Sequence, residues 1–192
     1  FVQGLTSGLS IITSQKFGAN NEDAVRKSFA ASILISSAVA IITTVFSVLL
    51  TRPLLELLQT PAEIIDDATA YVVIIFLGIP ATILFNLLSN AVRALGDSKT
   101  PLYFLIFACC VNIVLDLVFM YLHLGVAGAG IATILSQLLS GILCIFFIIK
   151  KVPILRLKKA DFQIHYEVIA SHLSIALPMA FQMSIIAIGS LM

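Results

Sequence analysis

The chain has 192 residues, of which 60% are hydrophobic and only 11% are charged, and its mean hydropathy is +1.11. Soluble domains carry about 25% charged residues, so this composition excludes an ordinary soluble domain and favours a membrane protein. Eleven basic and ten acidic residues give a net charge of +1. That balance leaves no basic surplus for a nucleic-acid backbone, and nucleic acid is therefore not an expected partner.

Six apolar runs follow one another along the chain. Four of them, at about 28–50, 68–92, 101–122 and 126–149, are long enough to span the bilayer as helices. Backbone groups find no water inside a bilayer, and the runs lack the two-residue alternation of barrel strands, so we predict helices throughout. Two shorter runs, at 1–14 and 172–192, flank these four. Because the chain starts at Phe1 and ends within a run, we expect a fragment truncated at both ends.

The loops between these runs differ in charge. Arginine and lysine accumulate on the cytoplasmic side of membrane proteins, and here they concentrate in alternate loops. One set of loops carries Lys16, Arg26, Lys27, Arg93, Lys99, Lys150, Lys151, Arg156, Lys158 and Lys159. The other set carries only Arg52, together with the acidic residues Glu56, Glu63, Asp66 and Asp67. We therefore place the first set in the cytoplasm and predict a multi-pass topology.

The longest polar connection runs from Lys150 to about Ser171 and contains Pro153. A proline breaks regular structure, and a mixed polar and apolar segment at 161–169 is suited to lying along the membrane interface. We predict three parts: a transmembrane bundle at 1–149, a cytoplasmic linker at 150–171, and the start of a second bundle at 172–192.

Asp116 is the only carboxylate inside a complete apolar run. An ionisable group at that depth costs at least about 2.5–3.5 kcal/mol on insertion scales, and such residues commonly mark ion or substrate pathways. Asn112 lies one helical turn earlier on the same face. The pair offers a carboxylate and an amide to one cavity. The structural alternative is that Asp116 caps or snorkels near the helix end while Asn112 bonds a neighbouring helix.

A glycine-rich segment, GVAGAG, occupies Gly125–Gly130, and Thr133 follows one turn later. Small residues let two helices approach closely, which we expect to be the main role of these glycines. The Thr133 hydroxyl has two open alternatives, a bond to its own helix or a position facing Asp116.

Polar side chains also recur near the end of the second complete run. Asn86, Asn90 and Arg93 are spaced to share one helix face. We interpret Arg93 as an interfacial anchor, and the two asparagines either as links between helices or as lining of a cavity. Pro80 and Pro178 remove backbone donors from their spans, so we predict helix breaks or hinges at both.

Signatures of enzymes are absent: the sequence has no HExxH, no GxSxG elbow, no Walker A loop and no Cys/His cluster. His123, His165 and His172 fall in loops or at span ends. We interpret the cysteines as small core residues; they are Cys109, Cys110 and Cys144. The sequence does not indicate an enzyme or a cofactor.

Four stretches resemble the multidrug and toxic compound extrusion family, within the group that includes polysaccharide-lipid flippases. They are SQKFGANNEDAVRKS at Ser14–Ser28, RALGDSKTP at Arg93–Pro101, NIVLD at Asn112–Asp116, and GVAGAGIAT at Gly125–Thr133. The resemblance implies an all-α, polytopic transmembrane helical bundle, the N-terminal lobe of a twelve-helix, two-lobe MOP-flippase-like transporter. On that template the chain runs from the end of helix 2 to the start of helix 7, and the first helix is missing.

The resemblance also implies a function, the export of cationic or amphipathic compounds across the plasma membrane in exchange for Na⁺ or H⁺. Its implied cation or proton site consists of Asn112, Asp116 and Thr133, with Asp116 as a candidate Na⁺ ligand. Other readings stay open: a lipid-linked oligosaccharide flippase, a non-transporting membrane scaffold, or a channel. Nothing in the sequence specifies an oligomeric state.

Overall fold

The computed structural model describes residues 1–61, 64–123, 125–162 and 166–190, and every long regular element among them is an α-helix. Two short 3₁₀ turns, Pro153–Leu155 and Lys159–Phe162, lie between the last two helices. The seven helices are α1 Val2–Gly18, α2 Glu22–Leu57, α3 Ile65–Leu77, α4 Ile79–Ala94, α5 Lys99–Tyr121, α6 Gly125–Lys151 and α7 Tyr166–Gly189.

The polar residues in the middle of the Ser14–Ser28 motif form the turn between α1 and α2 and the start of α2. Asn20 has a φ of 55°, a left-handed conformation in which asparagine is several-fold enriched. Asn21 then caps α2, since its side-chain oxygen accepts a hydrogen bond of 3.0 Å from the Ala24 backbone N–H. Glu22 and Asp23 add negative charge at the positive end of the helix dipole. α2 therefore starts in the polar segment before its apolar run, and it continues to Leu57.

The second complete apolar run is divided into two helices. α3 ends at Leu77, Gly78 separates the two, and α4 starts at Ile79 with Pro80 in its first turn. Proline lacks the N–H that a continuous helix needs at this point. Gly78 also allows α6 to come close, because a Cβ there would lie 2.5 Å from the Ile134 side chain. The structure thus shows an interruption of the helix beside Pro80.

Two apolar clusters hold the helices together. One joins α2, α4, α6 and the first 3₁₀ turn, and its buried members are Val25, Phe29, Leu88, Ala91, Val92, Cys144, Ile148 and Leu155. The other joins α1, α2 and α7, and its buried members are Leu5, Leu9, Ile35, Ala176 and Ala180. α4 lies at the centre of the bundle, while α5 packs mainly on α6 at the edge.

Large apolar side chains cover the outside of the bundle. Phe46 is 62% exposed, Leu49 69% and Ile185 69%, and soluble monomers rarely present apolar patches of that extent. In the described part of the chain, five helical segments are long and apolar enough to cross a membrane, with α3 and α4 taken together as one. The structure therefore agrees with a polytopic helical bundle.

The connection between α6 and α7 is shorter than expected. α6 ends at Lys151 and α7 begins at Tyr166, six residues before the boundary that hydropathy placed at 172. The discrepancy arises because the first turn of α7 is polar and carries Glu167. The second 3₁₀ turn is held against α2, where Arg26 Nε lies 3.7 Å from the buried Asp161 carboxylate. His165 and Glu63 lie outside the described residues.

Candidate functional site

Two of the three expected site residues meet between α5 and α6. The Asn112 amide Nδ2 donates a hydrogen bond of 3.4 Å to the Thr133 hydroxyl, which itself donates to the Ala129 carbonyl at 3.0 Å. Thr133 thus bonds its own helix, which was the first of its two alternatives. Its hydroxyl also contacts Asn112, and the described residues show no hydrogen bond between Thr133 and Asp116. With Nδ2 used in this contact, the Asn112 carbonyl oxygen is the remaining acceptor of the amide.

Asp116 lies one turn beyond Asn112 on α5 and is half-buried. Its Oδ1 is buried and has no hydrogen-bond partner among the described residues. A buried carboxylate oxygen without a partner is costly, and such an atom calls for an explanation such as an ion, a proton or water. The helix repeat places it on the same face as Asn112. Asp116, Asn112 and Thr133 each have a side-chain oxygen atom, and oxygen atoms are the ligands that a hard cation such as Na⁺ prefers.

The two asparagines of α4 make other contacts. Asn86 Nδ2 donates 2.8 Å to the Thr82 carbonyl of its own helix. Asn90 Nδ2 reaches α1 instead, at 3.2 Å from Thr6 Oγ1 and 3.4 Å from Ser7 Oγ. Asn90 therefore links two helices, in keeping with the structural interpretation of these residues.

Residues in the described ranges line a larger and a smaller cavity beside α6. The larger, of about 850 Å³, is almost wholly apolar and opens between α2, α4 and α6. The smaller, of about 210 Å³, lies beside the α3–α4 interruption, and Thr133, Thr82 and Gln137 contribute its polar lining. Thr133 thus contacts Asn112 and also lines this partly polar cavity. Asn86 and Asn90, expected as possible lining residues, line neither of these two cavities.

The glycine-rich segment and the second proline differ in their effects. A Cβ at Gly130 would lie 3.3 Å from the Ile74 side chain, so this glycine lets α6 approach α3 closely. Gly125, the first residue of α6, has a φ of 57°, a conformation that favours glycine. Pro178 lies inside α7, which continues through it without interruption. The break expected at Pro178 is therefore not visible as an end of the helix.

The RALGDSKTP motif forms a turn rather than part of the ion site. Gly96 has a φ of 89°. Asp97 Oδ1 accepts hydrogen bonds of 3.0 Å from the backbone N–H groups of Lys99 and Thr100, and Oδ2 accepts one of 2.5 Å from the Thr100 hydroxyl. These bonds, that of the Thr100 hydroxyl above all, hold the pKa of the Asp97 carboxyl below its ordinary value of 3.8. Asp97 thus satisfies N–H groups at the start of α5.

Some residues have surroundings that the sequence did not indicate. His172, expected at the end of a span, lies in the second turn of α7 and is 1% exposed. Cys109 and Cys110, expected in the core, are exposed on α5, whereas Cys144 is buried. The surroundings expected for His172, Cys109 and Cys110 were wrong for one reason. An apolar run shows that a helix enters the membrane but does not show which face of the helix meets protein.

Comparisons with known proteins agree with this architecture. A family model described as MatE matches residues 1–118. The chain is 34% identical, over 98% of its length, to the probable multidrug resistance protein YpnP of Bacillus subtilis strain 168. It is 26% identical, over 86% of its length, to the multidrug export protein MepA of Staphylococcus saprophyticus. It spans 42% of the first relative and 37% of the second, less than half of either.

Solved structures show the same fold. One, described as the outward-facing conformation of a multidrug resistance MATE family transporter of the MOP superfamily, superposes with a TM-score of 0.87 at 22% identity. That match covers 94% of this chain and 40% of the other. A structure described as the inward-facing conformation gives 0.85 at 23% identity, covering 93% and 41%. Identities this low establish the fold alone.

These matches confirm the expected fold class, a polytopic helical bundle consistent with an N-terminal lobe. They also confirm the family suggested by the four sequence stretches, since the family model covers more than half of the chain. The chain belongs to the MatE family, a family of membrane transporters and not of enzymes.

Proposed function

We propose that this chain is the ion-binding part of a secondary active transporter that exports cationic or amphipathic compounds across the plasma membrane in exchange for Na⁺ or H⁺. The single observation that carries the proposal is the Asp116 carboxylate in a membrane-spanning helix, whose buried Oδ1 has no hydrogen-bond partner in the part of the chain that the structure describes. Relatives named as multidrug resistance and multidrug export proteins support the direction and breadth of transport.

The proposed ion site combines Asp116 with Asn112 and Thr133. The carboxylate accepts a proton or contributes oxygen to a metal cation, and the contact of 3.4 Å between Asn112 and Thr133 fixes neighbouring polar atoms on α5 and α6. When bound, the ion supplies positive charge that neutralises Asp116. For ion binding to drive export, the ion must bind one arrangement of the two lobes more tightly than the other.

The composition of the spans favours drug export over movement of a lipid-linked oligosaccharide. No complete apolar run has a basic residue near its middle, and Arg93 lies at the end of α4. Anionic lipid-linked substrates would favour several arginines or lysines in the cavity. Cationic compounds instead suit a cavity whose buried charge is a carboxylate.

The experiment uses the full-length protein in bacterial cells that lack their own efflux pumps, with a fluorescent cationic dye as the probe. Dye accumulation is compared for wild type, Asp116→Asn and the control Asp67→Asn at matched membrane expression. Asp67 is an exposed carboxylate at the start of α3. We expect wild type and Asp67→Asn to lower the dye and Asp116→Asn to fail.

Two results would contradict the proposal. Equal dye export by Asp116→Asn and wild type removes the assigned ion site, although export itself stands. No dye export by wild type favours the flippase or scaffold readings. In the positive case, purified protein in liposomes with imposed Na⁺ or pH gradients identifies the coupling ion.

A further inference from the structure

His172 lies in a buried polar contact between three helices. Its Nε2 is 2.8 Å from the Ser28 hydroxyl on α2, and that hydroxyl is 3.0 Å from Thr13 Oγ1 on α1. On its own helix, His172 Nδ1 is 2.7 Å from the Val168 carbonyl. His172 and Thr13 are each 1% exposed and Ser28 is 2% exposed. A buried imidazole therefore ties α7 to the helices of the first bundle.

The hydrogen bonds define which nitrogen carries a proton. The Val168 carbonyl can only accept, so Nδ1 is the N–H donor of a neutral ring. Nε2 then accepts from the Ser28 hydroxyl, and Ser28 accepts from the Thr13 hydroxyl. Every group in the chain Thr13–Ser28–His172–Val168 is satisfied while the ring is neutral.

A second proton also finds a partner without movement of any heavy atom. A protonated Nε2 donates to Ser28 Oγ, and the Ser28 hydroxyl turns to donate to Thr13 Oγ1. The Thr13 hydroxyl then no longer donates to Ser28, and the described residues place no other acceptor within hydrogen-bond distance of it. Protonation of His172 therefore leaves the Thr13 hydroxyl without its hydrogen bond, so the three-residue contact fits the neutral ring better than the charged one.

The positive charge itself is not compensated by a described contact. The two hydrogen bonds that described residues make with His172 involve the Ser28 hydroxyl and the Val168 carbonyl, and neither involves a carboxylate. The charged residues nearest to it along the packed elements are Lys16 on α1, Asp23, Arg26 and Lys27 on α2, and Glu167 on α7. Arg26 contacts Asp23 and Asp161, so part of this charge is already paired. Burying a charge without a partner is unfavourable, and exposure to water relieves that cost.

The position of His172 separates it from the Asp116 site. Thr13 lies near the end of α1, Ser28 near the start of α2, and His172 near the start of α7, beside the loops that carry Lys16 and Lys27. Asp116 lies seventeen residues into α5, about 25 Å from the helix start at 1.5 Å per residue. Since α5 starts at the same basic side, the two groups lie toward opposite ends of the bundle.

We propose that His172 is a second proton-binding site, on the cytoplasmic side, and that its protonation loosens the contact of α7 with α1 and α2. A proton arriving from the cytoplasm binds Nε2, and the buried charge then favours an arrangement in which His172 reaches water. The site controls the junction between the first bundle and the following helix. It does not depend on whether the ion at Asp116 is Na⁺ or H⁺.

The test measures the junction directly in the full-length protein. Spin labels are attached to cysteines introduced at Gly18 and Tyr166, which are both exposed, at the end of α1 and the start of α7. The other cysteines of the protein are replaced by alanine. Label-to-label distances are recorded by pulsed electron resonance in lipid nanodiscs between pH 7.5 and 5.5, for wild type, His172→Gln and the control His123→Gln. His123 is exposed in the α5–α6 loop.

As the pH falls, we expect the mean distance between the labels to increase, or its distribution to broaden, in wild type and His123→Gln. In His172→Gln we expect the distance distribution to stay constant. Glutamine keeps hydrogen-bonding capacity toward Ser28 but does not titrate in this range. If His172→Gln fails to fold, Ser28→Ala replaces it and is expected to shift the midpoint of the pH response by removing the partner of Nε2.

Two outcomes would overturn the proposal: the same pH response in His172→Gln as in wild type, or a wild-type distribution that does not change with pH. An unchanged midpoint in Ser28→Ala would also count against it. These measurements need no transport. A failure here is therefore distinguishable from a failure of the proposed efflux function, which the dye experiment tests separately.

Discussion

α4 and α5 are consecutive apolar helices, yet they have opposite surroundings. Eight of the sixteen residues of α4 are buried, whereas only Pro101 and Ala108 are buried among the twenty-three of α5. α4 packs on α1, α2 and α6 and uses its polar Asn90 to bind α1. α5 packs mainly on α6 and carries Asp116 and Asn112. The tightly packed centre thus supports the bundle, while the open edge carries the residues of the proposed ion site.

The contrast has a physical basis. A helix at the centre must match its neighbours closely, and small residues allow that approach, as Gly4 and Gly8 do where α1 meets α7. A helix at the edge has room for an ionisable group and for the ion that neutralises it. Substitutions are therefore expected to affect folding in the first region and transport in the second.

The largest expected effect is Gly8→Val in the packed region. A Cβ at Gly8 would lie 2.6 Å from the Ala176 Cα atom, a backbone atom that cannot move without displacing α7. Overpacking commonly costs about 1–3 kcal/mol and sometimes more. We expect loss of monodisperse, folded protein in detergent, measured by size-exclusion chromatography and thermal unfolding.

Gly18→Val is the matched control, since Gly18 lies at the end of the same helix with nothing within 4 Å of its added Cβ. Wild-type stability is expected for this variant. If Gly8→Val were as stable as Gly18→Val, the close packing of α1 on α7 would not contribute to folding.

The second largest effect is expected on transport, for a substitution in α5. Asn112→Ala removes the hydrogen bond to Thr133, a contact worth about 0.5–1.5 kcal/mol, or about 2- to 10-fold in ion affinity. We expect the ion concentration for half-maximal efflux to rise by that factor while the protein stays folded. Ile113→Ala, a change at the neighbouring and exposed position, is the control. A weaker response to the coupling ion in both variants would argue against a specific role for Asn112.

A smaller effect is expected at the turn that joins the two regions. Asp97→Ala removes the bonds to Lys99 and Thr100 at the start of α5, and loss of a helix cap costs about 0.5–2 kcal/mol. Because these bonds hold the folded pKa of Asp97 below 3.8, the stabilisation is fully present at pH 7. This stabilisation is lost as the pH falls below 3.8 and then through the lowered pKa that Asp97 has in the folded protein.

Thermal unfolding of wild type and Asp97→Ala at pH 7 and near pH 3 checks this prediction. The difference in Tm should be clear at pH 7 and should shrink at the acidic pH. A constant difference would mean that Asp97 acts through something other than its carboxylate charge.

The smallest effect is expected for Asn90→Ala in the packed region. Its contacts with Thr6 and Ser7 are 3.2 and 3.4 Å long, and hydrogen bonds between membrane helices average about 0.6 kcal/mol. Thermal unfolding should show a loss of that order, with the ion dependence of efflux unchanged. A large change in ion dependence would instead move Asn90 into the functional site.

Much of the architecture could be predicted from the apolar runs and from the positions of helix-breaking residues. Each apolar run contains helix in the described part of the chain, and Pro80 marked the interruption that divides the second complete run into α3 and α4. Helix ends were less certain, because polar first turns such as Glu22–Asp23 and Tyr166–Glu167 precede the apolar runs. Caps and polar turns extend a helix beyond the part that hydropathy detects.

The proposed ion site was partly predictable for a related reason. An ionisable residue within a span is expensive, so Asp116 stood out from its type and position alone. The spacing of Asn112 placed it on the same face, and its contact with Thr133 then came from the packing of α5 on α6. Asn86 and Asn90 have similar spacing, yet the structure gives them contacts with α4 and α1.

The sequence by itself determined that this chain is a polytopic helical membrane protein with a carboxylate at membrane depth, because composition and run length reflect the cost of placing groups in lipid. Only the tertiary structure decided which apolar faces meet protein, and therefore that Cys109 is exposed while His172 is buried against Ser28. Those facts depend on how the helices rotate and pack on one another. Hydropathy reports transfer into the membrane, whereas burial within a bundle depends on the shape of its neighbours.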